Sequence, residues 1–229
     1  MLIYGKQTVL FLVEHFASTI ETLYLAKEVE KKLYNSLMDH ASKHGFEVVR
    51  TKPEHAQQMV KSGNHQGFIA KTKPYELQEI NALKNFTKVV VLSGLTDMGN
   101  IGAIIRSAYA LGVEAIVIGG VAQLQLEAMA RTSSGAMFGM TLVHWPQLLD
   151  LPNTLHQFGF TLYGASMQGV DIRTLVPKPK WALFLGGESE GLQAKLEQKL
   201  DMTLKIAMEH DFDSLNVSVA AAIIIDRMR

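Results

Sequence analysis

With 229 residues, 48% of them hydrophobic, the chain has the length of one large domain or two small ones and enough apolar content for a packed core. It contains no Cys, which excludes a disulfide framework, a thiol nucleophile and a cysteine-ligated zinc; the 8 His are scattered rather than set at metal-ligand spacing, so no metal is expected. Lys+Arg and Asp+Glu balance at 22 each, which argues against a strongly basic, sequence-blind nucleic-acid binder.

No apolar run approaches the roughly 20 residues that span a bilayer, and the start Met-Leu-Ile-Tyr-Gly-Lys lacks a signal-peptide layout, so a cytoplasmic protein without membrane association is expected. In chain order, residues 1–72 read as a small alternating α/β unit. Its expected elements are a helix over 9–15, a strand over 20–26, a helix over 31–43 ending at Gly45, a strand over 46–50, a helix over 53–61 and a short strand over 67–70. Residues 73–87 are mixed and polar, with a short helix over 77–83, and read as the linker between domains.

From residue 88 onward the pattern becomes that of a parallel sheet with crossover helices. Strands are expected over 88–92, 115–118, 140–144, 161–165, 181–185 and 202–206, and helices over 102–112, 125–131, 148–158, 192–200 and 217–228. The fold class is therefore α/β, with a second domain over 88–229. Residues 1–88 carry 12 Lys/Arg against 9 Asp/Glu and residues 89–229 carry 10 against 13, a weak asymmetry that suits a binding module joined to a catalytic one.

Three polar loops, the first two marked by glycines, punctuate the second domain. The first, Asp97-Met98-Gly99-Asn100-Ile101-Gly102, opens a helix that carries Arg106; its backbone N–H groups suit an anion, and the Arg fork suits phosphate. The second, Leu185-Gly186-Gly187-Glu188-Ser189-Glu190-Gly191, follows an apolar strand and sets two carboxylates between glycines that permit close backbone approach to a ligand. The third, Leu215-Asn216-Val217-Ser218, stands at the mouth of an apolar helix. Each loop taken alone is equally well an ordinary cap or a solvated turn. Ligands on open parallel sheets sit beyond the strand carboxyl ends, where all three loops fall, and neither G-x-G-x-x-G nor a P-loop is present to signal a conventional nucleotide fold.

The order and wording of these loops resemble the SpoU family of RNA 2'-O-ribose methyltransferases. Its first motif matches Asn100, Gly102 and Arg106; its Gly-x-Glu-x-x-Gly-like second motif matches 186–191; its Leu-Asn-Val-Ser-x-Ala third motif matches 215–220. Ser134-Gly135-Ala136 is similar to a smaller family element, and Ile3-Tyr4-Gly5-Lys6 with His65-Gln66-Gly67 resembles the amino-terminal RNA-binding extension, built like certain ribosomal proteins, of the branch that modifies large-subunit rRNA. Ala207 stands where the family usually has Pro, and His210 where Gly is common.

The resemblance implies a trefoil-knotted methyltransferase domain that holds S-adenosylmethionine through backbone groups near Leu185, Gly186, Gly187, Ile206, Met208 and Leu215. It implies a methyl-transfer site lined by Asn100, Arg106, Glu190, Asn216 and Ser218, and a homodimer with the carboxyl-terminal helix at its interface. The expected substrate is a guanosine ribose of 23S rRNA, with a tRNA, an rRNA adenosine linked to antibiotic resistance, or a non-catalytic assembly role as alternatives. Lys6, Gln66, Lys71 and Lys73 are the candidate RNA contacts of the first domain.

Overall fold

The computed structural model describes residues 1–61, 63–187, 191–210 and 214–229. Two compact units result: Met1–Glu76 together with Gln125–Gly139, and Leu77–Leu124 together with Met140–Arg229. The segment Gln125–Gly139, which the sequence pattern assigns to the second domain, packs with the first.

The first unit holds a four-stranded sheet in the order β1-β4-β2-β3, from β1 (Leu2–Tyr4), β2 (Ile20–Leu25), β3 (Glu47–Arg50) and β4 (Phe68–Thr72). Strands β2 and β3 run parallel, joined by the helix α2 (Lys31–His44), while β4 is antiparallel to β1 and β2. The first strand went unread in the sequence because three residues give no measurable alternation. Helix α1 (Lys6–His15) starts three residues earlier than expected and buries Val9, Leu12 and Val13. Helix α2 ends where Gly45 takes φ 75 and its N–H reaches the Ala41 carbonyl, and α3 (Pro53–Val60) opens on a proline, which needs no N–H in a first turn.

The second unit is a six-stranded, wholly parallel sheet in the order β10-β8-β9-β5-β6-β7. Its strands are β5 (Lys88–Ser93), β6 (Ala115–Gly119), β7 (Thr141–Trp145), β8 (Thr161–Asp171), β9 (Trp181–Gly186) and β10 (Met202–Lys205). Val89, Val90, Val91 and Leu92 are all fully buried, as are Ile116, Val117 and Ile118, because helices cover both faces of the sheet. On one face Val89, Val91, Val117 and Phe184 pack against Leu151 and Leu155 of α6 (Leu151–Gln157). Elsewhere in this unit α4 (Met98–Ala110) packs along α8 (Val217–Met228).

Several expected boundaries shift for local reasons. Helix α4 begins at Met98 rather than 102, because the Asp97 carboxylate caps it by accepting from the Asn100 N–H at 2.7 Å. The helix expected over 192–200 shrinks to α7 (Ala194–Glu197), and that over 148–158 divides into a 3-10 turn (Leu148–Asp150) and α6. The expected 77–83 helix is a 3-10 segment over Ile80–Asn85. Strand β8 runs to Asp171 rather than 165; its pairing with β10 jumps from Gly164 to Val170, so the residues between form an excursion from the ladder.

Candidate active site

Strand order reverses at β5: β6 and β7 lie to one side of it, β9 and β8 to the other. A crevice opens at such a switch point, beyond the strand carboxyl ends. Here a cleft is lined by Ser93 at the end of β5 and Gly94 after it, Gly120 after β6, Gly187 and Gly191 on either side of the loop after β9, and Leu148 and Gln193. A Cβ built on Gly94, Gly187 or Gly191 meets nothing within 4 Å, so backbone rather than side chain forms much of the cleft wall. Gly120 has φ +73, and a Cβ there would come within 3.1 Å of the Gly94 N. Gly186 tolerates no side chain at all: its Cβ would stand 2.1 Å from the Gly191 carbonyl carbon and oxygen. The Gly191 N–H donates to the Gly187 carbonyl at 2.9 Å, closing that loop.

The polar side chains of the first and third loops meet at the ends of α4 and α8. Asn216 Nδ2 donates to Asn100 Oδ1 at 2.9 Å, tying the cap of α8 to the first turn of α4. Asn216 Oδ1 accepts from the Ser218 N–H at 2.9 Å and from its hydroxyl at 2.6 Å. Asn216 thus caps α8 and orients Asn100 and Ser218 at once. Arg106 lies two turns along α4, exposed, with no hydrogen bond or ion pair to any described residue. Glu190 lies outside the described residues. Of the expected cofactor positions, Leu185 and Gly186 are buried, Gly187, Ile206 and Leu215 are half-buried, and Met208 is exposed.

In the first unit the Lys6 N–H donates to Gln66 Oε1 at 3.0 Å, so those two residues share one corner, and Gln66 itself takes φ 52 beside Gly67 at φ 82. Lys71 Nζ instead pairs with Glu21 Oε2 at 3.2 Å, and Lys73 Nζ donates to the Ser18 carbonyl at 2.9 Å. Ser93, Gly94, Gly120 and Gln193 line the cleft without having been picked from the sequence. The signal that would have found them is a glycine directly past an apolar strand, in Ser93-Gly94 and Gly119-Gly120.

The profile of the SpoU rRNA Methylase family matches residues 87–226, more than half of the chain. This chain belongs to that family. A second profile, for RNA 2'-O ribose methyltransferase substrate binding, matches residues 2–78. A Staphylococcus haemolyticus protein assigned to the TrmH family of tRNA/rRNA methyltransferases is 27% identical over 216 residues, 90% of this chain and 86% of that one. In fold, the chain is similar to the SpoU methyltransferase AviRb from Streptomyces viridochromogenes, solved with AdoMet (TM-score 0.79, 23% identity, 99% of this chain and 88% of that one). It is likewise similar to an AdoMet-bound rRNA methyltransferase from Sinorhizobium meliloti (TM-score 0.74, 19% identity, 99% and 85% covered). The SpoU-family chain is accordingly an RNA 2'-O-ribose methyltransferase with an amino-terminal substrate-binding region. Among the described residues no helix is long and apolar enough to cross a membrane.

Proposed function

We propose that this SpoU-family enzyme uses S-adenosylmethionine to methylate the ribose 2'-hydroxyl of a guanosine in 23S rRNA, in the cytoplasm and as a homodimer. The observation that supports the reading is the Asn100–Asn216–Ser218 chain of hydrogen bonds, which gathers side chains 116 residues apart in sequence at the mouths of α4 and α8. The glycine-walled cleft supports a cofactor held by backbone groups, because Gly94, Gly187 and Gly191 leave open the space three side chains would take. Leu185, Gly186, Gly187, Ile206, Met208 and Leu215 hold it, and the loops that contain them are threaded as a trefoil knot on the family pattern. Bound there, S-adenosylmethionine supplies a methyl group on a good leaving group, the sulfonium.

What remains for the protein is positioning. The Arg106 guanidinium offers five N–H donors and no acceptor, so it does not serve as the base. Its unengaged fork instead binds the substrate phosphate and orients the 2'-hydroxyl, and the proton leaves to that phosphate or to a water. Asn100, Glu190, Asn216 and Ser218 hold the ribose and the loops in register. Residues 1–72, through Lys6, Gln66 and Lys71, dock the RNA together with Lys73 at the start of the 73–87 link, and residues 88–229 carry the chemistry. Val219 and Ile223, apolar and one turn apart on α8 yet 47% and 39% exposed, support the carboxyl-terminal helix as the dimer contact. Arg106→Lys tests the assignment: single-turnover methyl transfer falls by about 10²-fold through misplacement of the acceptor, with stability unchanged. A full single-turnover rate in Arg106→Lys removes Arg106 from the role of fork.

A further inference from the structure

A second cleft, of about 470 Å³, lies in the first unit and is separate from the residues assigned to methyl transfer. Six of its seven lining residues fall inside the substrate-binding match over 2–78, and the seventh is Phe138. Its walls combine two kinds of surface. Tyr75 and Phe138 offer aromatic rings, 6.1 Å apart at their centroids and 78° to one another, with Pro74 beside them. Ser18, Thr19, Lys73 and the Glu76 carboxylate supply the polar side, so Lys73 is the cation of a cleft that also carries one negative charge.

These groups are fixed rather than loose. Phe138 belongs to a line of ring contacts that continues to Phe16 at 6.5 Å and from there to Phe11 at 5.8 Å. Phe138 is placed by the turn after α5 (Leu126–Thr132), where Ser134 takes φ 54 and the Gly135 N–H returns to the Ala130 carbonyl at 2.8 Å. A Cβ on Gly135 would press on Phe11 and Leu12 of α1 at 3.1 and 3.3 Å, so the Ser-Gly-Ala element seats this turn against that helix. Lys73 Nζ spends one of its three donors on the Ser18 carbonyl, which aims the ammonium along the cleft rim and leaves two donors available.

We propose that this cleft takes one unstacked nucleotide of the substrate RNA, its base against Tyr75 and Phe138 and its phosphate on Lys73. Aromatic faces accept any base and one fixed cation accepts the adjoining phosphate, the combination by which single-stranded RNA is held. The Ser18 hydroxyl, exposed at the rim, donates to or accepts from the base edge. The cleft therefore selects an unpaired segment of RNA over a duplex, in which no base face is offered. The inference rests on the RNA-methylating reading above, because the substrate RNA is the occupant.

The test uses the full-length protein and a short single-stranded oligoribonucleotide carrying 2-aminopurine, with its duplex as comparison. The single strand binds more tightly than the duplex, and 2-aminopurine emission is quenched on binding. Tyr75→Leu and Phe138→Leu each raise the single-strand Kd at least about fivefold, the loss of one base stack, and relieve the quenching. Ser18→Glu, an exposed change that spares the core, also weakens binding by placing a negative charge at the rim. Lys73→Gln lowers the slope of log K against log salt by about 0.7, one phosphate contact on a single strand. Unchanged affinity and quenching in the Tyr75, Phe138 and Ser18 variants overturn the proposal, as does equal affinity for the duplex. Wild-type protein that stacks RNA in this way yet methylates none keeps the cleft and removes the methyl-transfer reading; methylation with no stacking does the reverse.

Discussion

Asn216 has two duties whose loss can be measured separately. Its carbonyl oxygen caps α8 and its amide nitrogen holds Asn100. Asn216→Ala removes the cap, which costs about 1 kcal/mol of stability, read from the urea midpoint at an unchanged m-value. It also removes the Asn216 contacts to Asn100 and Ser218, so methyl transfer falls by more than the stability loss explains; equal activity of the folded variant would reduce Asn216 to a cap alone. Glu114 shows how a residue with no part in chemistry holds the start of the second sheet. Burial pushes its carboxyl pKa up, but hydrogen bonds from the Thr87 N–H and hydroxyl, both at 2.7 Å, and from the Lys88 N–H at 2.9 Å outweigh it, with help from the Lys88 charge. The net pKa is lowered, so the stabilisation is present above the ordinary glutamate value and is lost as pH falls through the depressed one. Glu114→Gln is therefore less stable than the parent at neutral pH, and the gap closes in acid; a gap that persists at low pH would contradict the carboxylate clamp.

Among the elements, the parallel strands are where sequence and structure agree best, since buried β-branched runs such as Val89-Val90-Val91 leave little choice of conformation. Helix ends were harder to place, because single side chains decide them. Asp97 draws α4 four residues toward the amino terminus, which puts Asn100 inside the first turn instead of in the loop before it. The cleft walls were harder still. Gly94 and Gly120 stand out only once the strand order places the ends of β5 and β6 side by side. The two kinds of glycine in this unit separate in a mutational test. Gly159, at φ +83 with nothing within 4 Å of a built Cβ, records backbone strain alone, so Gly159→Ala costs about 1–3 kcal/mol and leaves S-adenosylmethionine affinity intact. Gly186→Ala drives a Cβ into the Gly191 backbone, so cofactor affinity measured by calorimetry collapses as well. Equal affinity in the two variants would mean that the loop after β9 does not hold the cofactor.

Over the whole molecule, zero net charge fits an RNA enzyme that relies on a few placed contacts. Of the four residues expected to touch RNA, Lys6 and Gln66 share one corner, Lys71 is partly neutralised by Glu21, and Lys73 is turned toward Ser18. Residue type and position allowed all four to be nominated; their engagement with neighbours depends on strand pairing and was not legible in the chain. The same holds for Gln125–Gly139. Its sequence neighbours are β6 and β7, yet Glu127 accepts from the Leu2 N–H at 2.9 Å and Arg131 lies 4.6 Å from the Tyr4 ring centre, contacts between positions more than 120 residues apart. The cap of α8, by contrast, was readable because Asn216 stands directly before an apolar helix. Transfer of tritiated methyl from S-adenosylmethionine to protein-free 23S rRNA, 16S rRNA and bulk tRNA, with Arg106→Ala as control, tests the account most directly. It predicts alkali-stable label, the mark of a 2'-O-methylated ribose, in 23S rRNA alone and none with the control; alkali-labile label, label confined to tRNA, or label undiminished by Arg106→Ala would contradict it.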